Sequence, residues 1–384
     1  MAEHFETKVV QSTLRSPLAV RSKTTPIYQT SAFSFENLQA LEEFYERDTQ
    51  SPYLYTRVGN PNTDELAQAI AHLENAEEGA STATGLAAIL AGVLAVAEAG
   101  DHIVATQHLY GGTYQLFAEE LKKSGISVSF VDFLQLQDIE HALQDNTVLL
   151  YSESITNPLL RVEPIADIAK LAKRHKLTFM VDNTFATPQG CRPISLGADI
   201  VVHSATKYIG GHSDVTAGVI AGKQSLMERA KQTIVNLGLS LSPFEAWLAC
   251  RGLKTLSVRM DRQTENAKKL AFSLAETEGI ASVYHPAIEG NEQPTALVTI
   301  ALSDDVNVDV FFQSLGWIKL VATLAGVQTT VSYPILTSHR ALSNEMLQRT
   351  GVTDKHVRIS VGIEHIDDIV SALTQAVTKA IEKS

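Results

Sequence analysis

Between residues 79 and 222 short apolar runs alternate with helical stretches, and this alternation restricts the fold more than any other feature of the chain. Apolar runs at 102–106, 126–133, 147–154, 177–182, 200–203 and 216–220 predict strands, while segments such as 116–124 and 165–175 predict helices between several of them. Strands separated by helices pair in parallel, so a largely parallel α/β sheet follows. Ligands of such sheets lie beyond the carboxyl ends of the strands, which directs attention to the polar clusters there. The run at 200–202 delivers His203, Ser204, Ala205, Thr206 and Lys207 into a turn containing Gly210 and Gly211. A lysine so placed can form a Schiff base with an aldehyde, and desolvation would lower its pKa enough to make it a nucleophile and base. The hydroxyls of Ser204 and Thr206 would suit a phosphate. Read alone, Lys207 is better taken as a surface lysine after an edge strand; only the upstream clusters argue otherwise.

Composition narrows the function classes. With 384 residues, 45% of them hydrophobic, the chain can bury a large core, and its length suggests roughly two or three domains. A net charge of -12 with no Lys/Arg block argues against nucleic-acid binding. Small molecules or further copies of the chain are the expected partners. Cys191 and Cys250 stand far apart, as reduced thiols in a cytoplasmic protein would. The polar first 21 residues lack the apolar core of a secretory signal. The Ala-rich stretch 85–97 falls short of the roughly 18 to 20 residues that span a bilayer, and is read as a buried helix with no membrane partner.

The other clusters each admit two readings. Residues 82–86 open the Ala-rich helix, so the amides of Gly85 and Leu86 form either a phosphate seat or an ordinary tight helix start. Tyr110, before Gly111 and Gly112, can lay its ring over a flat cofactor or serve as a core tyrosine beside a turn. Asp182 follows the apolar run Phe179-Met-Val. A carboxylate at that depth needs a cation, such as a protonated pyridine nitrogen, unless it merely caps a turn. Tyr55 and Arg57 are two apart and point the same way in an extended segment, ahead of a helix whose predicted N-cap is Asn62 or Thr63. That pair alone reads as a surface loop.

Taken together, Tyr55-x-Arg57, Gly85-Leu86, Leu109-Tyr-Gly-Gly112, Thr156-Asn-Pro158, Val181-Asp-Asn-Thr184 and Ser204-Ala-Thr-Lys207 form an ordered set. It resembles the Cys/Met-metabolism family of pyridoxal-phosphate enzymes, which includes cystathionine synthases and lyases. The resemblance continues through Leu253-Lys-Thr-Leu256 and Val357-Arg-Ile-Ser-Val-Gly-Ile-Glu364, covering nearly the whole chain. It implies the aspartate aminotransferase-like arrangement (fold type I), with a large, mixed, mostly parallel sheet domain and a smaller C-terminal α/β domain. The expected division is an arm over 1–50, a cofactor-binding domain over 51–245 and a small domain over 246–384 that opens with a long, bent helical stretch at 243–278.

The resemblance also implies roles. Lys207 would hold pyridoxal 5'-phosphate, Asp182 would pair with its ring nitrogen and Tyr110 would stack on the ring. Ser204, Thr206, Gly85 and Leu86 would take the phosphate. Tyr55 and Arg57 would reach that phosphate from a neighbouring subunit, in a homotetramer built from dimers that share active sites. Arg358 would clamp the substrate carboxylate, with Asn157, Thr184 and Thr323 lining the pocket. Either Tyr55 or Tyr110 would protonate a departing thiolate.

Subclass rests on departures from the family pattern. Members acting at the γ-carbon of cystathionine commonly carry Glu-Ser-Leu-Gly-Gly where this chain reads Ala322-Thr-Leu-Ala-Gly326. Loss of the acidic residue leans toward a bacterial-type cystathionine β-lyase, with γ-lyase or γ-synthase activity, or a non-catalytic scaffold, as alternatives. Gly112, where methionine specialists usually carry Cys, points away from methionine. The segment after Tyr284-His-Pro286 is shortened. Phe311, Phe312 and Trp317 are expected in the core of the small domain, and His203, His212, His339 and His356 lack metal-ligand spacing.

Overall fold

The computed structural model describes residues 4–12, 22–46 and 53–382. Its larger sheet has seven strands: β1 (Glu78–Thr82), β2 (His102–Thr106), β3 (Ser127–Val131), β4 (Thr147–Glu153), β5 (Thr178–Asp182), β6 (Ile200–His203) and β7 (Gly218–Gly222). Their order is β1-β7-β6-β5-β4-β2-β3. From β6 to β3 all pairings are parallel, and β7 runs antiparallel to both β6 and β1. Alternate residues of the parallel strands are buried on opposite faces. Ile103, Leu149, Met180 and Val202 pack in one layer and Val104, Leu150, Phe179 and Val181 in the other. Covered on both sides, such strands read as continuous apolar runs, which is why they stood out in the sequence. Each fully buried aliphatic side chain contributes roughly 1.5–3 kcal/mol.

Several boundaries differ from the expectations. β1 has no apolar run to announce it; it exists through its ladder with β7, Ala80 opposite Ile220. β7 starts at Gly218 rather than at 216, because Ala217 is already bonded to the Thr206 hydroxyl. The helical stretch predicted from 116 begins at Gly111 and passes through a π turn at Leu116–Glu120; two glycines gave little helical signal there. Helix Pro61–Glu74 is capped by Asn60, not by Asn62 or Thr63. The Asn60 side chain accepts from Asn62 N at 3.0 Å and Pro61 occupies the first turn. Asn62 instead holds the preceding segment, bonding Tyr28 N and Pro26 O at 2.8 Å each. Part of the expected arm, including Arg47, lies outside the described residues; within it are helices Phe5–Gln11 and Leu38–Glu46.

The helical stretch after residue 243 is two helices, Pro243–Leu253 and Leu256–Ala275, parted at Lys254 and Thr255. They lead to a second sheet of β8 (Ile280–Tyr284), β9 (Leu297–Leu302), β10 (Lys319–Leu320), β11 (Thr330–Ser332) and β12 (His356–Ser360), ordered β10-β11-β12-β9-β8. Leu270, Ile300, Phe311, Val357 and Leu373 form its core. Phe311 is buried as expected and Phe312 packs on the Tyr333 ring, but Trp317 is 47% exposed. It sits in the turn before edge strand β10, where no element covers it. Among the described residues no helix is long and apolar enough to cross a membrane, and no group of His, Cys, Asp and Glu could hold a metal ion.

Candidate active site

Side chains from the carboxyl ends of β4, β5 and β6, from the loop after β2 and from β12 line one cavity of ≈ 450 Å³. Lys207 enters it from the turn after β6. Its Nζ donates to Thr323 Oγ1 at 3.1 Å. Burial, reinforced by the Arg358 cation, lowers its pKa from 10.5 to about 8, as expected when a charged amine leaves water. The turn is closed by Gly211 N on Lys207 O at 2.7 Å. Gly211 has φ +68, and a side chain there would run into the Arg259 guanidinium. Arg259 is itself fixed by Thr255 Oγ1 and Gly252 O at 3.0 and 2.9 Å.

Asp182 ends β5, and its Oδ1 accepts from Thr184 N at 2.9 Å and Thr184 Oγ1 at 2.5 Å. Burial raises its pKa and the Thr184 bonds oppose the rise. Beside it in the ladder stands Glu153, the last residue of β4. Burial pushes the Glu153 carboxyl well up, the Asp182 charge adds to this, and backbone N–H groups of Tyr110 and Asn157 act against it. Neither carboxylate has a salt bridge among the described residues. Two adjacent buried acids cannot both ionise cheaply unless a cation joins them.

Helix Gly85–Leu94 meets the cavity with its first turn. Thr84 caps it by accepting from Ala87 N at 3.0 Å, leaving the amides of Gly85 and Leu86 without intrahelical partners. A Cβ on Gly85 would come within 2.8 Å of Ser204 Cβ, so only glycine lets the helix end approach this closely. Ser204 lines the same wall. Thr206 also does, although its hydroxyl is engaged with Ala217 O and N at 3.2 and 3.0 Å. On the far side Arg358 is buried, donates from Nη1 to Asn157 Oδ1 at 2.7 Å, and has no partner for Nε. Burial lowers its pKa to about 10.

Thus Gly85, Leu86, Tyr110, Asn157, Asp182, Thr184, Ser204, Thr206, Lys207, Thr323 and Arg358 all meet at one cavity, whereas Tyr55 and Arg57 do not. Within a single chain those two are paired with each other, the Arg57 guanidinium 5.6 Å from the Tyr55 ring, and Arg57 Nη1 donates to Val235 O. Glu153, Thr337 and Ser338 line the cavity without having been singled out. Glu153 carried the signal used for Asp182, an acid at the end of an apolar run; residues 337 and 338 lie in a loop with no pattern to mark them.

A largely parallel sheet whose strand ends carry a low-pKa lysine and a buried acid, facing an arginine from a second sheet, is a combination met elsewhere. The family described as Cys/Met metabolism PLP-dependent enzyme matches residues 6–378. A cystathionine beta-lyase of Lactococcus lactis subsp. cremoris is 37% identical, with 98% of this chain and 99% of that protein covered. A cystathionine gamma-synthase/O-acetylhomoserine (thiol)-lyase of Bacillus subtilis strain 168 is 36% identical, covering 100% and 98%. The crystal structure of a cystathionine gamma synthase from Xanthomonas oryzae pv. oryzae in complex with cystathionine superimposes with TM-score 0.94 at 31% identity, over 100% of both chains. The chain belongs to the Cys/Met metabolism family of pyridoxal-phosphate-dependent enzymes. It is therefore a lyase or synthase of the trans-sulfuration type with fold type I. Its residues fit the cofactor: a buried lysine amine whose pKa is lowered, the buried acid Asp182 with no salt bridge among the described residues, and helix amides at a glycine that leaves room.

Proposed function

We propose that this enzyme cleaves the β-carbon–sulfur bond of L-cystathionine, so that cystathionine and water give homocysteine, pyruvate and ammonia. The observation that carries the β assignment is Ala322 in the cavity wall beside Thr323, a methyl where γ-acting relatives are expected to bring an acid. The 37% identity to the Lactococcus enzyme supports the same reading. A γ-type reaction is the second reading, favoured by the Bacillus and Xanthomonas relatives.

The chemistry that pyridoxal phosphate supplies when bound is an aldehyde for amines and a cationic ring that accepts electrons left at the α-carbon. Lys207 is the residue that would bond it, Asp182 would face the ring nitrogen, Tyr110 would cover the ring, and the amides of Gly85 and Leu86 with Ser204 and Thr206 would hold the phosphate. Thr184 steadies Asp182 by its two bonds. Arg358 would take the substrate carboxylate on its free Nε, aligned by Asn157. Once the substrate amine has displaced it from the aldehyde, the Lys207 amine, which donates to Thr323 Oγ1 when free, would remove the α-proton, and its lowered pKa of about 8 suits that role. The thiolate leaving the β-carbon takes a proton from Tyr110 Oη, the phenol that this chain itself brings to the cavity. Tyr55 and Arg57 would serve the cavity of a second copy.

The test is to incubate the purified holoenzyme with L-cystathionine and identify the keto acid. Pyruvate is expected; 2-oxobutyrate would replace the β assignment with the γ one, and no keto acid from any sulfur amino acid would end the lyase reading. Borohydride reduction should leave a pyridoxyl mass on the peptide containing Lys207.

A further inference from the structure

Glu153 is the one carboxylate at the cavity that the proposed reaction leaves idle, and its contacts explain why it is there. It is 5% exposed and lines the cavity. Its Oε1 accepts from Tyr110 N at 2.8 Å, and the backbone N–H of Asn157, four residues further on, faces the carboxyl and favours its charged form. These amides belong to different loops, one after β2 and one after β4. An acid held by a backbone donor and facing a second one is poorly placed to shuttle a proton, but well placed to hold two loops at a fixed separation.

Beyond Asn157 the path continues into the second sheet. Its side-chain oxygen accepts from Arg358 at 2.7 Å, its carbonyl accepts from His339 Nε2 at 3.1 Å, and the next carbonyl, Pro158 O, accepts from Thr299 Oγ1 at 2.6 Å. The loop is thus fastened to the small sheet on one side and to Glu153 on the other. We propose that Glu153 is a positioning residue: its carboxyl group, at the end of β4, fixes the loop of Tyr110 against the strand end from which the loop of Asn157 leaves, and through Asn157 sets the direction of Arg358. This rests on the reading that Arg358 takes the substrate carboxylate. Acceptor oxygens are required because both neighbours are donors. Glutamine in its place has one acceptor oxygen where glutamate has two.

Glu153→Gln in the holoenzyme is expected to raise KM for L-cystathionine about tenfold with kcat within about threefold, the size of one buried hydrogen bond lost at a charged group. In an Arg358→Lys background the same change should add less than about twofold, since the two act in series. In the apoprotein, deuterium exchange at the amides of 107–112 and 155–160 should quicken about tenfold in Glu153→Gln and stay unchanged elsewhere. Asn157→Ala should reproduce the KM rise while leaving the 107–112 amides protected, which keeps the idea testable if the glutamine variant misfolds. A Glu153→Gln enzyme that loses kcat at constant KM, unaltered exchange in both loops, or an Asn157→Ala enzyme with normal KM would each overturn the proposal. If the unmodified enzyme turns over no sulfur amino acid, the lyase reading fails, and the exchange experiment still decides whether Glu153 joins the loops.

Discussion

Lys207, Asp182 and Glu153 reach the cavity at or just past the ends of strands in the seven-stranded sheet, whereas Arg358 reaches it from the middle of β12, laddered to β9 on one side and β11 on the other. The two placements suit different work. At a strand end the backbone leaves free N–H groups and short polar side chains that adjust a titrating group, as Thr184 does for Asp182. A strand interior offers no such adjustment, but it holds a planar guanidinium in one direction, which is what bidentate recognition of a carboxylate needs. On this view chemistry belongs to the first sheet and substrate orientation to the second.

The largest test of that division is Lys207→Ala, expected to cut keto-acid production by more than about 10³-fold, the scale of losing both nucleophile and base. Next is the pH dependence of the amine itself. Because burial lowers the Lys207 pKa from 10.5 to about 8, the neutral form appears as pH rises through 8 and is lost below it. At pH 7 the apoprotein should therefore offer a neutral amine at Lys207 about 300-fold more often than at an unperturbed lysine. Acylation with peptide mapping checks this; a midpoint near 10.5 would mean that the cavity does not desolvate the group. Arg358→Lys probes the other sheet. It should raise KM about 30-fold or more while kcat moves less, by the loss of a charge-assisted fork; a change confined to kcat would break the division. The smallest effect belongs to Thr323→Ser, which keeps the hydroxyl bonded to Lys207 Nζ and should alter kcat/KM by less than about threefold.

The same contrast governs what could be read from sequence. The parallel strands were legible because burial on both faces made them continuously apolar, and Asp182 and Lys207 were legible because polar residues break those runs at their ends. β1 was not, since Glu78-Gly-Ala-Ser-Thr82 forms a strand only through its neighbour β7. Arg358 has nothing local to set it apart, and only the family resemblance points to it. The cap at Asn60 is not legible because Asn62 and Thr63 are equally good formers of the motif; the choice depends on Asn62 being engaged by Tyr28 and Pro26, a contact between distant parts of the chain. Trp317 is exposed against expectation because hydrophobicity does not say whether another element covers a turn.

The guanidinium of Arg259 behind Gly211 has a consequence for anyone wishing to redesign this enzyme. A library randomised at position 211 should be dominated by glycine, since the left-handed backbone disfavours most side chains and the Arg259 guanidinium fills the space one would enter. A shortened residue at 259, in the helix that begins at Leu256, would clear that space and leave the backbone as the remaining constraint on position 211.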